Sequence, residues 1–387
     1  MELDVLNLRK FVAPEIVFGN GSRKLAGQYA RLYGAGKVFL VTDPGIIETG
    51  WVQDVIASLE AAGLSYVMFS DVSPNPRTFQ VMQGAEEYLA NKCKLIVAVG
   101  GGSPMDCAKA IGIVVTNGKH IVEFEGVDMI PVPAPPLILI PTTAGSSADV
   151  SQFCIISDQD RLLKMAIVSK TMVPDVALID PETTHSMDAY LTACTGVDAL
   201  VHAIEAFVSM GSGPLTDPHA LDAIRLIGEH LPSLVNNLQN VELREKIMLA
   251  SMKAGLAFSN AILGAVHAMS HSLGGRLDLP HGECNAILLD QVMEYNFPHA
   301  EDKFRVIAEH LGIDCRGMTT SSLKNALLQK VRDLKKEVGI AKRLGDTGVK
   351  TTDIPSLAAN AIKDACMATN PVKANQRDIE VIYEESL

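Results

Sequence analysis

The chain has 387 residues, of which 48% are hydrophobic and 20% are charged. This composition is typical of a folded globular protein of one or two domains and excludes a disordered chain. The net charge of −12 disfavours nucleic acid and anionic membranes as partners. The seven cysteines include no Cys-x-x-Cys pair, which predicts a reducing, cytoplasmic location without disulfides or a thiolate zinc site.

The first half of the chain alternates short apolar segments with helical patterns. Strands are predicted at residues 11–18 (an edge strand), 37–43, 66–69, 95–99, 137–141 and 177–180. Helices are predicted at residues 22–32, 51–62 and 79–91, and from the turn at 100–102 to residue 113. Strands alternating with helices of this length predict βαβ units and a mostly parallel sheet. Residues 153–156 and 164–168 have the pattern of a hairpin.

A glycine-rich turn joins one of these strands to a helix. It reads Gly100-Gly-Gly-Ser-Pro-Met-Asp106. Glycines let backbone N–H groups approach a phosphate, and the N-terminus of the following helix favours its negative charge. The turn differs from the Gly-x-Gly-x-x-Gly fingerprint of dinucleotide-binding proteins. It predicts a phosphate site, and a purely structural turn is the alternative.

Polar residues also follow two other strands. Asp43 can accept hydrogen bonds from an adenosine ribose and repel a 2′-phosphate, which favours NAD over NADP. A helix or turn cap is the equally plain alternative for this aspartate. Residues 142–147 form a hydroxyl- and glycine-rich loop at the carboxyl end of a strand, where α/β sheets bind ligands. The alternative for this loop is a polar surface segment.

After residue 181 the pattern changes to long helices without convincing strands. They are predicted at residues 191–208, 217–230, 241–273, 301–311, 322–338 and 355–367. The run at 254–269 is too short and too interrupted to span a membrane, so we expect a buried helix. We place a domain boundary at residue 184, with an α/β nucleotide-binding domain over 1–184 and an all-helical domain over 185–387. A cleft between two such domains is a common position for a site.

The helical half carries an aspartate and four histidines in otherwise apolar or turn segments: Asp198, His202, His267, His271 and His281. Residues four apart share one face of a helix, and this spacing holds for the first two and for the next two. Such pairs arise by chance, and core histidines are commonly just hydrogen-bonded. Unpaired polar groups in apolar segments are costly, however. One carboxylate and three imidazoles complete the ligand shell of Fe²⁺ or Zn²⁺.

The chain resembles the iron-containing (group III) alcohol dehydrogenases over essentially its whole length. The matching stretches are residues 100–106, 141–146, 195–206, 267–285, 370–371 and 378–383. The resemblance implies a dehydroquinate synthase-like architecture, with an α/β dinucleotide-binding domain followed by an all-helical metal-binding domain. It also implies that the metal ligands are Asp198, His202, His267 and His281. His271 then lies near the nicotinamide as a candidate catalytic proton relay.

The resemblance further implies the reaction, its cofactors and the assembly. The expected reaction is reversible hydride transfer between a small primary alcohol or diol and NAD, with NADP less favoured and Fe²⁺ as the metal, Zn²⁺ being the alternative. A homodimer or larger homo-oligomer is expected. The positions at or beside the cofactor are Asp43, Asn75, Gly101, Gly102, Ser103, Asp106, Thr142, Thr143, Phe153 and Lys164.

Two segments depart from the family pattern. Residues 147–151 replace a usual Glu and Thr, and Glu283-Cys284 replace small apolar residues. These departures affect the expected substrate range more than the reaction type. Cys284 beside a metal ligand is either an oxidation-sensitive thiol or, as we expect, a packed small hydrophobe.

Three alternatives remain at the level of sequence. A zinc hydrolase can use the same ligands, but the residue after His267 is not the glutamate that metalloproteases use as a base. A non-catalytic relative that keeps the fold is the second alternative. The third is a glycerol- or hydroxy-acid-specific dehydrogenase of the same family.

Overall fold

The structure is a computed structural model that describes residues 10–161, 163–277 and 279–387. A six-stranded sheet has the order β1-β9-β6-β4-β2-β3, and every pairing in it is parallel. A smaller sheet has the order β5-β8-β7. The strands are β1 Glu15–Phe18, β2 Lys37–Val41, β3 Ser65–Phe69, β4 Leu95–Gly100, β5 Gly126–Val127, β6 Leu137–Pro141, β7 Phe153–Asp158, β8 Leu163–Val168 and β9 Val176–Ile179.

Helices cover both faces of the large sheet. They are α1 Ala26–Leu32, α2 Pro44–Thr49, α3 Trp51–Ala61, α4 Thr78–Ala90 and α5 Gly102–Asn117. Val38 of β2 packs in one apolar cluster with Val55 of α3, and its neighbour Phe39 packs in another with Val81 of α4. Because both faces are buried, the strands read as continuous apolar runs. The predicted parallel α/β half is therefore confirmed.

In the described part of residues 185–387, all regular structure is helical. The helices are α6 Ala189–Val208, α7 Asp217–Asn236, α8 Val241–Ala261, α9 Ala265–Leu277, α10 His281–Asn296, α11 Glu301–His310, α12 Thr320–Glu337, α13 Ile354–Ala361 and α14 Gln376–Ser386. Helix α6 is long and apolar enough to cross a membrane, but 89% of its most apolar window is buried within the protein. It is the central helix of this half, in contact with α7, α8 and α10.

The change from sheet to helix follows β9, which ends at Ile179 and is followed by a 3₁₀ turn at Pro181–Ser186. The boundary at residue 184 falls within this turn, and the division into two domains there stays a prediction. Strand β9 is the last strand among the described residues, but it lies inside the sheet, between β1 and β6. The edge position predicted for the first strand is confirmed.

The single helix predicted over residues 241–273 is wrong. The chain breaks after Ala261, and α8 and α9 meet at an angle of 100°. Ile262 adopts φ 64°, a conformation that β-branched residues rarely take, so no sequence signal marks the break. Gly264 follows in the break, and a Cβ there would lie 2.9 Å from the Asn370 Oδ1 and 3.0 Å from the Glu205 Oε1 atoms. A larger residue at this position would displace one of these two buried side chains.

Further differences concern the ends of elements and three helices that the sequence does not predict, α2, α10 and α14. His281, predicted to lie in a Pro/Gly turn, is the first residue of α10. Helix α10 is buried on most of its faces, which removes the amphipathic period that identifies a helix in sequence. The helix predicted at 355–367 ends at Ala361 and continues as a 3₁₀ turn at Ala365–Thr369.

Helix α8 packs closely on the loop of the α/β half at Gly255. A Cβ at this position would lie 2.4 Å from the Ser147 Cβ and 2.5 Å from the Val150 Cγ2 atoms. We expect Gly255→Ala to destabilise the protein despite the better helix propensity of alanine, because overpacking typically costs about 1–3 kcal/mol against a gain of about 1 kcal/mol.

The matched control is Gly228→Ala, also inside a helix, where the added Cβ meets only the flexible end of Leu311 at 2.9 Å. Thermal unfolding followed by circular dichroism should give a lower Tm for Gly255→Ala and an unchanged or higher Tm for Gly228→Ala. Equal midpoints for the two variants would contradict the close packing of α8 on the loop.

Candidate active site

Three of the predicted metal ligands come together from three helices. Asp198 lies in α6, His267 in α9 and His281 at the start of α10, and their donor atoms lie within 4.8 Å of one another. The Asp198 Oδ1 atom is 3.9 Å from the Nε2 atom of each histidine. One carboxylate oxygen and two imidazole nitrogens are a donor set that suits Fe²⁺ or Zn²⁺. The residues present therefore fit a divalent transition-metal ion.

Asn285, which sequence reasoning missed, contacts the same three donor atoms. Its amide nitrogen donates to the Asp198 Oδ1 atom at 2.6 Å and lies 3.1 Å from the His267 Nε2 and 3.2 Å from the His281 Nε2 atoms. The position of this nitrogen shows that the three donor atoms point toward one small volume. The only sequence signal for Asn285 is its place four residues after His281, on the same face of a helix that was not predicted.

His202, the fourth predicted ligand, lies beside this group. Its ring stacks between Phe258 and His267, with centroid distances of 4.3 and 4.5 Å. Its Nδ1 atom is buried without a hydrogen-bond partner, and the residue lines the same cleft as His267 and His281. The nitrogens of His202 do not belong to the close group of three, so its role as a ligand stays a prediction.

Burial keeps these imidazoles neutral. It lowers the pKa of His202 to about 3 and the pKa values of His267 and His281 well below the usual range. A histidine binds a metal ion through the lone pair of its neutral ring. The rings are thus in the protonation state that coordination requires.

A buried carboxylate fixes the orientation of His267. The Glu205 Oε2 atom lies 2.6 Å from the His267 Nδ1 atom, and Oε1 accepts a hydrogen bond from the Val266 backbone N–H at 2.6 Å. Burial raises the pKa of Glu205 to about 7, although these backbone donors act in the opposite direction. A carboxylate on the far nitrogen of a histidine fixes its tautomer and leaves Nε2 for a metal. The available signal was the position of Glu205 seven residues after Asp198 on α6.

His271, the predicted proton relay, has a carboxylate partner of its own. Its Nδ1 atom lies 2.8 Å from the Asp364 Oδ2 atom. Burial alone would raise the pKa of Asp364, but the charge and hydrogen bond of His271 and the Cys366 N–H lower it to about 2. The His271 ring stacks on His281 with a centroid distance of 5.4 Å. His271 is therefore held beside the predicted metal ligands with one nitrogen engaged.

A cleft connects this group with the α/β half. A cleft between two parts of a chain is a common position for a small-molecule or cofactor site. Six of the predicted cofactor positions line this cleft: Asn75, Gly102, Ser103, Asp106, Phe153 and Lys164. The helical half contributes His202, His267, His271 and His281 to the lining. The remaining predicted positions, Asp43, Gly101, Thr142 and Thr143, are not among the described residues that line it.

The glycine turn is held closely by the neighbouring loop. Gly100 has φ 156°, and a Cβ on Gly101 would lie 3.2 Å from the Thr143 side chain. A Cβ on Gly102 would lie 3.1 Å from Ser146, and the Thr142 N–H donates to the Gly100 carbonyl at 2.9 Å. Thr142 and Thr143 therefore shape the turn from behind, and the N-terminus of α5 is presented to the cleft, as an anion site requires.

Side chains beside the turn form a polar group. The Ser103 Oγ atom accepts from the Asn75 N–H at 3.2 Å, and the Lys164 Nζ atom donates to the Asn75 Oδ1 atom at 2.7 Å. The Asp106 Oδ2 atom accepts from the Ile155 N–H at 3.0 Å, while Oδ1 is buried without a partner. Burial raises the pKa of Asp106 to about 6. The unpartnered oxygen and the glycine cradle fit a nucleotide.

Asp43 caps α2, which was the alternative given for it. Its Oδ1 atom accepts a hydrogen bond from the Ile46 N–H at 3.0 Å. Its contact with a ribose stays a prediction, since a cap and a ribose contact can use different lone pairs of one carboxylate.

The departures at Glu283 and Cys284 have structural explanations. The Tyr190 hydroxyl donates to the Glu283 Oε2 atom at 2.5 Å, and the Lys342 Nζ atom donates to Oε1 at 2.7 Å. Glu283 thus joins the start of α10 to the start of α6. Cys284 is fully buried, and burial raises the pKa of its thiol to about 12, as for a packed small hydrophobe.

An α/β half with a phosphate cradle, facing a helical half with a buried carboxylate and imidazole cluster, defines a metal-dependent, nucleotide-linked oxidoreductase. Two family models match the chain, iron-containing alcohol dehydrogenase over residues 13–181 and the C-terminal part of the Fe-containing alcohol dehydrogenase family over residues 192–387. The chain therefore belongs to the iron-containing alcohol dehydrogenase family, as the resemblance implied.

Individual relatives match over nearly the whole chain. The 1,3-propanediol dehydrogenase of Citrobacter freundii is 38% identical over 379 residues, which cover 97% of this chain and 98% of that protein. The NAD-dependent methanol dehydrogenase of Bacillus methanolicus is 37% identical over 377 residues, covering 97% and 99%. A crystal structure of 1,3-propanediol oxidoreductase, 38% identical, has a TM-score of 0.95 and covers 98% of this chain and 100% of that one.

The contact of Glu205 with His267 predicts an effect on metal affinity. We expect Glu205→Gln to weaken Fe²⁺ binding about 10–100-fold, because the amide no longer offers two acceptor oxygens to the ring and the backbone donors. The measurement is anaerobic titration with Fe²⁺ against a chelating indicator.

The control is Glu294→Gln on α10, which removes an exposed salt bridge to Lys324 of α12 and should leave Fe²⁺ affinity unchanged. Wild-type affinity in Glu205→Gln, with the fold intact by circular dichroism, would remove Glu205 from the metal site.

Proposed function

We propose that the protein is an NAD-dependent, Fe²⁺-containing alcohol dehydrogenase that interconverts a small primary alcohol and its aldehyde. The observation that carries the proposal is that the donor atoms of Asp198, His267 and His281 converge beside the cleft that also receives the glycine turn. A metal-assisted hydride transfer needs both features in one cleft.

The metal would be held by Asp198, His267 and His281, with His202 as the fourth ligand. Such an ion supplies Lewis acidity to the hydroxyl oxygen of the substrate when bound. Glu205 holds the His267 ring so that Nε2 faces the ion, and the depressed histidine pKa values keep the rings ready to coordinate. Fe²⁺ is proposed over Zn²⁺ on the family membership, because this donor set accepts both metals.

The nucleotide would lie along the glycine turn. A bound NAD supplies nicotinamide as the hydride acceptor. The N-terminus of α5 at Gly102 and Ser103 would bind the pyrophosphate, and Asn75 and Lys164 would contact the cofactor beside it. Phe258 and Phe153, which also line the cleft, pack edge to face at a centroid distance of 5.5 Å.

His271 would carry the released proton to solvent. It lines the main cleft and also a second cleft, which is lined as well by Asp364 and the exposed residues Arg161 and Lys363. The Asp364 carboxylate is hydrogen-bonded to the His271 Nδ1 atom, which leaves the His271 Nε2 atom to take up the proton. His271 thus stands between the reacting group and a route to water.

Two alternative functions, a zinc hydrolase and a non-catalytic relative, are less well supported. Family membership and the phosphate cradle disfavour a zinc hydrolase, and the intact donor set disfavours a non-catalytic relative. We also propose a cytoplasmic location, since the seven cysteines are all free, and a homo-oligomer on the family resemblance.

The proposal predicts an activity that depends on the ligand histidines. We expect protein reconstituted anaerobically with Fe²⁺ to produce NADH from NAD⁺ and a primary alcohol, followed as absorbance of the reduced nicotinamide. His281→Ala should lose the metal and this activity while still binding NADH, because the glycine turn is unaffected.

The side chain of His281 is 29% exposed, so its removal perturbs the core less than that of His267. The control is His299→Ala at an exposed position, which should retain metal and turnover. An active, metal-free His281→Ala enzyme would contradict the ligand assignment, and absence of NADH formation with every primary alcohol would contradict the proposed function.

Asp43 tests the preference for NAD. Asp43→Asn keeps an acceptor for the Ile46 N–H and removes the negative charge, so we expect kcat/KM for NADP⁺ relative to NAD⁺ to rise about tenfold. The comparison variant is Asp188→Asn, the N-cap of α6, which should leave the ratio unchanged. An unchanged ratio in Asp43→Asn would remove Asp43 from the ribose site.

A further inference from the structure

A row of rings leads away from the predicted metal ligands along one wall of the cleft. His202 stacks on His267 at a centroid distance of 4.5 Å, and Phe258 stacks on the other face of His202 at 4.3 Å. Phe153 then meets Phe258 edge to face at 5.5 Å. Leu263, in the break between α8 and α9, also lines the cleft. The wall beside the ligand cluster is therefore apolar.

The backbone around Phe153 is fixed. The Lys109 side chain is fully buried, and its Nζ atom donates to the carbonyl oxygens of Ser151 and Phe153, both at 2.9 Å. The neighbouring Gln152 side chain points to α8, where it donates to the Ser259 carbonyl at 2.6 Å. Phe153 therefore faces the cleft, whereas the Gln152 side chain is directed toward α8.

The polar side chains of the cleft are grouped around the glycine turn, except for Ser151, whose Oγ atom lies 3.5 Å from the buried Lys109 Nζ atom. Asn75 contacts Ser103 and Lys164 there, and Ser146 lies against Gly102. Lys164 lies between the turn and α9, where a Cβ on Gly274 would lie 3.1 Å from its Nζ atom. A second substrate hydroxyl would need a partner on the apolar wall, and Phe153, Phe258 and Leu263 offer none.

We propose that Phe153, with Phe258 and Leu263, makes the protein selective for primary alcohols and aldehydes with an unsubstituted apolar chain, over diols and glycerol. This inference rests on the proposed function and narrows its substrate class. The hydroxyl end of the substrate lies at the ligand cluster, and its chain lies along the rings. A chain that ends in a hydroxyl loses its hydration there without gaining a partner.

The test uses an isosteric pair of substrates. 1-Butanol and 1,3-propanediol differ only by a methyl group in place of a terminal hydroxyl. We expect the Fe²⁺-loaded wild-type enzyme with NAD⁺ to favour 1-butanol by about 10–100-fold in kcat/KM, the range for apolar pockets. In Phe153→Asn this ratio should fall at least tenfold, because the amide offers a partner to the second hydroxyl.

Phe153→Leu keeps the wall apolar while enlarging it. It should keep the preference for 1-butanol and move the best chain length toward 1-hexanol. The control Phe79→Asn, at a position where the phenyl ring is 52% exposed, should leave all ratios unchanged. If Phe153→Asn does not fold, two other results test the selectivity. They are the kcat/KM ratio of the wild type for 1-butanol and 1,3-propanediol, and the chain-length preference of Phe153→Leu.

The outcomes separate the two claims. Equal or better turnover of 1,3-propanediol by the wild type overturns the selectivity, while the proposed function stands. If the Phe153 variants change the KM for NAD⁺ but leave the ratio of kcat/KM for 1-butanol and 1,3-propanediol unchanged, Phe153 contacts the cofactor. This result also overturns the proposed selectivity. No NADH formation with either alcohol instead counts against the proposed function.

Discussion

The hydrogen bond between the Glu205 carboxylate and the His267 ring is the interaction on which the site depends. The carboxylate belongs to α6 and the ring to α9. Helix α9 can bring the ring to α6 because it turns by 100° away from α8, which a continuous helix over both segments would not allow. The break at Ile262 and the small residue Gly264 allow this approach. The first N–H groups of α9 then donate to Glu205, which satisfies a buried carboxylate that would otherwise be costly.

The two halves of the chain contribute different parts of one cleft. The parallel sheet places the glycine turn at its carboxyl edge, where the N-terminus of α5 can bind a phosphate. The helical half supplies a buried carboxylate and several neutral imidazoles. Close packing of α8 on the loop after β6 fixes the distance between these parts. Neither half alone can position a hydride acceptor against a metal-activated alcohol.

Much of the α/β half could be predicted from sequence because its strands are continuous apolar runs punctuated by turn residues. The helical half was harder to predict. The positive φ of Ile262 leaves no compositional mark, and α10 lacks an amphipathic period because most of its faces are buried.

Within the site, the spacing of Asp198 and the histidines indicated the ligand group, three of whose donor atoms the structure brings together. Glu205, Asn285 and Asp364 were missed because their importance arises from contacts between segments distant in sequence. Residue type alone does not distinguish such carboxylates and amides from helix caps. Phe153 was predicted as a cofactor position, and its orientation toward Phe258 became visible only in three dimensions.

The central claim is that an ion held by the helical half faces a nucleotide held by the α/β half. Crystals grown anaerobically with Fe²⁺ and NAD⁺, measured at the iron absorption edge, test it most directly. The account predicts one anomalous peak about 2.0–2.2 Å from the oxygen of Asp198 and the Nε2 atoms of His267 and His281, with the pyrophosphate at Gly102. An iron peak elsewhere, or a nucleotide bound away from the glycine turn, would contradict it.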